Sequence, residues 1–182
     1  MKFDMRIVGL LVLVCLFQCI ASPIRGDMIF AGTNEIGISG ILDVDTIDGT
    51  LLEVDGTWGR YIRDYWEAGI IGSVASSDSI QRFRGGVFTD YIFDLGGAVL
   101  PFIGFSLNLF AADVDFKRFN GPSGSEIAYG TGFSMGFMGF LSREVALSFG
   151  LELHWASQDV FLTEDAAEDS DIRFKLGLRY FF

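Results

Sequence analysis

His154 is the sole histidine of this chain; with Glu152 two residues before it and serines at 148 and 157, it supplies the residue types of a serine hydrolase. Nucleophilic catalysis needs the hydroxyl, the imidazole and the orienting carboxylate within hydrogen-bond reach of one another. On an extended strand residues two apart share a face, so Glu152 and His154 fall together while Ser157, three positions beyond His154, points the other way. The better reading makes His154 a member of a buried polar network. Asp159, Glu164, Asp165, Glu168, Asp169 and Asp171 crowd a second candidate, a Ca²⁺ loop. Such a loop needs sharp curvature that glycine permits, and 157–170 contains none, so it reads as a solvated acidic loop. The glycine-rich runs at 85–86 and 130–139 lack the Lys-Ser/Thr ending of a phosphate loop. No cofactor, metal or catalytic residue is expected.

What positions these residues is a series of alternating segments. In the last of them Ile172, Phe174, Leu176, Leu178, Tyr180 and Phe182 fall on one side of a two-residue repeat, and Asp171, Arg173, Lys175, Gly177 and Arg179 on the other. That is a strand with one apolar and one polar face, and its length matches the roughly 9–11 residues of a tilted strand crossing a bilayer. The same alternation predicts strands over 35–43, 50–62, 65–75, 80–93, 99–110, 127–140 and 144–155. The tally is eight. Connections after the second, fourth and sixth strands are short, and those at 113–125 and 157–170 are long. Short turns at one end and long loops at the other fit an antiparallel up-and-down barrel with periplasmic turns.

Periodicity alone does not say which face is inside; side-chain size does. In 127–140 the bulky set is Ile127, Tyr129, Thr131, Phe133, Met135 and Phe137, and the alternate set is Ala128, Gly130, Gly132, Ser134 and Gly136. A soluble barrel would show water charged residues, not glycine and alanine. An eight-stranded barrel is just wide enough for side chains to fill it, so the small set belongs inside and the large set faces lipid. Trp58, Tyr65, Trp66, Tyr91, Trp155 and Tyr180 sit towards strand ends, where amphipathic rings favour the interface. The charges then form an internal network in which Arg82, Arg84, Arg173, Lys175 and Arg179 face Glu35, Glu53, Asp55, Glu67, Glu144 and Glu152, with His154 among them. Buried charges must be paired, and a bore so filled is a plug.

The first residues have the tripartite form of an export signal: Lys2 and Arg6, an apolar run over 7–17, then small residues up to Ala21. The expected organisation is a signal peptide at 1–21, a short periplasmic lead at 22–33 and the barrel at 34–182. Cys15 and Cys19 both lie in the signal, so no disulfide or thiolate site remains. Removing Lys2, Arg6 and Asp4 with it takes the formal net charge from −11 to −12, which argues against nucleic acid as a partner.

The segments Gly59-Arg-Tyr61, Trp66-Glu-Ala-Gly69, Leu100-Pro-Phe-Ile-Gly104, Glu144-Val-Ala-Leu147 and Leu178-Arg-Tyr-Phe-Phe182 resemble those of small outer-membrane barrels, the opacity-type porin-like proteins and the OmpA/OmpX-type domains. The resemblance covers nearly all of the chain after the signal and is architectural. It implies periplasmic chaperones, insertion by the barrel-assembly machinery through a terminal signal carried by Tyr180 and Phe182, and residence in the bacterial outer membrane among lipid and lipopolysaccharide. Members of the family serve envelope-structural, adhesive or host-interacting roles, with a surface ligand expected at 113–125 and 157–170. A small-solute pore and a lipid A-modifying hydrolase are the alternatives. The hydrolase resembles barrels with a His-x-Ser pattern on the active strand, from which His154-Trp-Ala-Ser157 departs.

Overall fold

The computed structural model describes residues 29–46, 49–76, 80–114, 124–162 and 167–182. The expected signal at 1–21 and residues 22–28 of the lead lie outside them. Eight strands form the wall: β1 (Asn34–Thr46), β2 (Gly49–Arg63), β3 (Trp66–Ser76), β4 (Ile80–Ile92), β5 (Val99–Val114), β6 (Gly124–Phe140), β7 (Val145–Ala156) and β10 (Ser170–Phe181). Two short strands, β8 (Phe161–Leu162) and β9 (Ala167–Glu168), form a separate hairpin between β7 and β10. Each wall strand pairs antiparallel with its neighbour, and β1 closes on β10 from Glu35↔Phe181 to Gly40↔Leu176. The backbone of Asn34 extends this seam by two hydrogen bonds to Phe182. Closure removes the sheet edge that lipid could not satisfy.

Each alternating segment coincides with a wall strand, except that Tyr65, Phe93, Glu144 and Phe182 fall just outside β3, β4, β7 and β10, and several walls run longer than their apolar pattern. β5 reaches Val114 and β6 starts at Gly124, so residues at both ends of the expected 113–125 loop belong to the sheet. Backbone pairing continues beyond the alternating pattern, for instance at Asp113↔Ser125. At the opposite end β2 turns into β3 through Asp64 and Tyr65, whose φ of 63° is left-handed for a bulky residue. Its hydroxyl donates to Asp94 Oδ2 at 2.8 Å, which ties this turn to the one between β4 and β5.

The outer face is apolar from strand to strand: Ile38, Leu109 and Phe174 are each more than 60% exposed, while Glu53 and His154 on the inner face are 1% exposed. A surface that exposes oily residues and buries ionised ones is built for lipid outside. Trp58, Trp66, Tyr91 and Tyr180 ring the turn end at 39–48% exposure, and Trp66 Nε1 donates to Thr89 Oγ1 at 2.7 Å. Leu107 is exposed on the outer face midway along β5, away from that aromatic ring. Leu107→Arg is therefore expected to destabilise the barrel by roughly 2–4 kcal/mol in lipid vesicles, measured by urea unfolding, because a charge is placed at the midplane.

The bore is not uniformly small-residued. At the turn end Tyr61, Phe102, Met138, Phe140 and Phe181 pack with Ile29 into an apolar layer. At the loop end Phe110, Ala112, Ala128, Val160 and Phe161 form a second layer. The rule that bulk faces lipid and small residues face inward holds for the middle of the strands and fails at both ends. There whole rings fill the bore with guanidinium groups packed on them, Arg179 over Phe102 at the turn end and Arg82 and Arg173 over Phe161 at the loop end.

Candidate functional site: the charged bore

Between the two apolar layers the inward positions of β1, β2, β3, β4, β7 and β10 carry the ionisable residues. Their parity follows from the register, since Arg173↔Glu152 and Ser73↔Arg84 lie side by side on the inner face. Near the loop end Glu53 is the hub. Its Oε2 accepts from Arg173 Nη1 at 2.6 Å and Arg82 Nη2 at 2.7 Å, and Arg173 also pairs with Asp171. In the middle tier Asp55 takes Arg84 Nη2 at 2.5 Å and Lys175 Nζ at 2.7 Å, and Lys175 also meets Glu152. Arg84 Nη1 reaches Glu152 Oε1 at 3.4 Å. Towards the turn end Arg179 stands among Glu35 at 3.3 Å, Glu67 at 3.9 Å and Asp90 at 3.1 Å. Tyr61 donates to Glu35 Oε2 at 2.8 Å.

Eleven of the twelve residues expected in the bore are thus brought onto one inner surface. Glu144 is not among them. It precedes β7 in the connection at 141–144 and is exposed, so its carboxylate has water and needs no partner. Its own backbone N–H is held by Ser142 Oγ at 3.3 Å. Sequence reasoning missed Asp90, Tyr61 and Asp171 as members. Asp90 shares its parity with Arg82 and Arg84, and Tyr61 with Glu53 and Asp55, so the two-residue repeat carried the signal. Of the terminal pair, Tyr180 and Phe182 face outward, whereas Phe181 between them is fully buried in the turn-end layer.

The loop-end closure had no legible signal. Within the expected solvated loop 157–170, Val160 and Phe161 are buried. The Phe161 ring lies edge-on to Phe110 at 5.3 Å and against His154 at 5.9 Å, with the guanidinium carbons of Arg82 and Arg173 at 4.9 and 5.2 Å from its centroid. Arg82 Nη1 also donates to Val160 O at 3.0 Å. Two cations over one ring anchor Phe161 in the loop-end apolar layer. Phe161→Ala is expected to lower stability by about 2–3 kcal/mol through lost ring burial and cation–π contact. It should also raise the rate of proteolysis within 157–170, followed by gel.

His154 sits with Nε2 at 2.8 Å from Arg84 Nη1 and 3.1 Å from Glu152 Oε2. A guanidinium only donates, so the first contact requires the Nδ1–H tautomer and the second the Nε2–H form. Ser157 is exposed at the rim, where its Oγ accepts from Tyr129 N at 3.3 Å, and Ser148 Oγ donates to Gly177 O at 3.3 Å. Neither hydroxyl is engaged with the imidazole. A cavity of about 100 Å³ lies within the bore, lined by Glu35, Asp90, Glu152, Lys175 and Arg179 together with the hydroxyls of Ser39, Thr57, Ser106, Ser134 and Ser148.

No protein-family model matches the chain, and no curated protein matches it. Solved structures do. The crystal structure of Neisserial surface protein A is 16% identical with a TM-score of 0.62, covering 84% of this chain and 98% of that one. The N-terminal β-barrel domain of Pseudomonas aeruginosa OprF is 14% identical with a TM-score of 0.63, again over 84% and 98%. The outer membrane protein OprG of the same organism is 12% identical with a TM-score of 0.54, over 84% and 97%. With its closed eight-strand wall, apolar exterior and charged bore, the chain has the fold of the small outer-membrane β-barrels.

Proposed function

We propose that this is a non-enzymatic protein of the bacterial outer membrane, a plugged barrel whose role is envelope-structural or surface-interacting. The observation that carries the reading is the filling of the bore: a buried ion-pair network lies between apolar layers at both ends. A water-filled channel needs a wider cylinder, and the buried guanidinium groups and rings of the bore support the plugged reading. Function is then left to the outer belt, in contact with lipid and lipopolysaccharide, and to the loop end, where a host or surface ligand would meet residues around 113–125 and 157–170. Delivery by periplasmic chaperones and insertion by the barrel-assembly machinery, reading Tyr180 and Phe182, complete the proposal.

Two measurements test it. Outer-membrane fractions should contain a species that migrates differently on gels before and after boiling, as folded barrels do; an unchanged mobility would remove the barrel from the membrane. In planar bilayers the purified protein should give no steady current. Reproducible unitary openings would replace the plug by a pore.

A further inference from the structure

The outer belt is not evenly filled. In the loop-side half of the wall two rows of outward positions run side by side across β4 to β7. Gly85, Leu109 and Tyr129 form the row nearer the loops, and Val87, Leu107, Thr131 and Trp155 form the other. Bulk is missing at the β4 end of the first row, where nothing lies within 4 Å of a β-carbon built on Gly85. Gly86, Asn108 and Gly130 belong to the inner face, so what they add between the rows is main chain. The result is a groove of about 780 Å³ on the lipid-facing side of the barrel, a size within the roughly 300–1,000 Å³ of small-molecule sites.

The chemistry of this groove is one-sided. No charged side chain lines it, and its walls are aliphatic and aromatic. At its β6–β7 side stand three donors: the Tyr129 hydroxyl, Trp155 Nε1 and the Ser157 hydroxyl. Ser157 Oγ accepts from Tyr129 N at 3.3 Å, which leaves its own proton to give. None of the three donors meets an acceptor among the described residues, whereas Trp66 Nε1 in the turn-end belt is satisfied by Thr89. A donor without an acceptor at the edge of the hydrocarbon region is costly. Trp155 is next to last in β7, and a long connection follows it, so this side of the groove belongs to the external leaflet. An apolar trough with donors at one side fits an acyl chain that carries a carbonyl at its head.

We propose that this groove is a lipid site, which seats one acyl chain of an external-leaflet lipid along Gly85, Leu107 and Leu109 with its ester carbonyl toward Trp155 and Ser157. The inference deepens the membrane reading above and rests on it. The groove is continuous with the lipid-facing belt, which fixes the class of its occupant. A chain held between side-chain walls and by a carbonyl contact exchanges more slowly than the lipid around the barrel.

Tryptophan fluorescence tests it. Trp58→Phe with Trp66→Phe leaves Trp155 as a reporter in the groove, and Trp66→Phe with Trp155→Phe leaves Trp58 as a reporter at the turn end. Both barrels are folded into vesicles of phosphatidylcholine with brominated acyl chains, which quench an indole they touch, and are then moved into bromine-free detergent micelles. Unboiled gel mobility establishes that each variant is folded. Both reporters should be quenched in the vesicles; after transfer Trp155 should stay quenched and Trp58 should recover. Gly85→Leu builds a side chain into open space, and with it Trp155 should recover as Trp58 does. Recovery of Trp155 without that substitution would leave only ordinary contact with bulk lipid and overturn the proposal. Retained quenching that Gly85→Leu does not change would place the lipid elsewhere on the wall and overturn it too. A Trp155 that is never quenched beside a quenched Trp58, in barrels that cross-link to one another through this face, would make the occupant a second copy and likewise overturn it. If neither tryptophan is quenched in the vesicles, the membrane reading itself fails and takes the groove with it.

Discussion

Glu53→Ala is expected to destabilise the barrel by about 3–5 kcal/mol, the cost of removing one partner from a buried charge cluster. Glu53 is 1% exposed and both its oxygens are used: Oε1 by Arg173 Nη1 at 2.7 Å and Ser73 Oγ at 3.3 Å, Oε2 by Arg173 and Arg82. Its loss leaves two guanidinium groups within one tier and only Asp171 to answer them. Those guanidinium groups also face the Phe161 ring, so their mutual repulsion should loosen the hairpin at the mouth as well. Urea unfolding in lipid vesicles, with the folded fraction read from unboiled gel mobility, checks the magnitude. Glu53→Gln should fall between, keeping the shape and losing the charge. Pairing Glu53→Met with Arg82→Met should recover much of the loss, since a buried ion pair replaced on both sides by apolar groups is often nearly neutral. A double mutant as unstable as the sum of the singles would mean that the two residues are not coupled.

The parity of residues made most of this bore legible. A strand places alternate side chains on opposite faces without exception until a bulge intervenes, and size then separated lipid from lumen at Gly132, Gly136 and Gly150 on one side and Phe137, Leu147 and Phe174 on the other. Glu144 lies outside the bore because it precedes β7: its carbonyl still accepts from Phe181 N–H of β10 at 2.8 Å, but the paired register ends at Tyr180↔Val145 and its side chain is exposed at the rim. Phe161 was invisible for another reason. Its burial depends on a loop folding back over the mouth, a contact between positions as distant as Arg82 and Val160, and the acidic residues around it suggested water instead. The apolar layers at the two ends were likewise hidden, because Phe102, Phe110 and Phe140 are bulky residues at inward positions and only three-dimensional register shows which rings meet there.

Gly136→Val is expected to abolish folding, and Gly136→Ala to cost about 3 kcal/mol, at the upper end for overpacking a close-packed interior. Gly136 lies on the inner face of β6, opposite Phe102 of β5 and Gly150 of β7. A β-carbon there would overlap the carbonyl oxygen of Phe149 and come within 2.7 Å of Gly150 Cα and 2.8 Å of Phe102 Cζ. The ring could rotate away from Phe102's present position, but the carbonyl and the α-carbon belong to the β7 wall and can yield only if the sheet spreads. The outward Gly85 on β4 provides the control, since nothing lies within 4 Å of a β-carbon built on it. Gly85→Ala should therefore be neutral within about 0.5 kcal/mol, and the midpoint of urea unfolding should separate the two alanine variants clearly. Phe102→Leu introduced with Gly136→Ala should relieve only the side-chain part of the clash. If it restored full stability, the backbone approach of β6 to β7 would not be what requires glycine at this position.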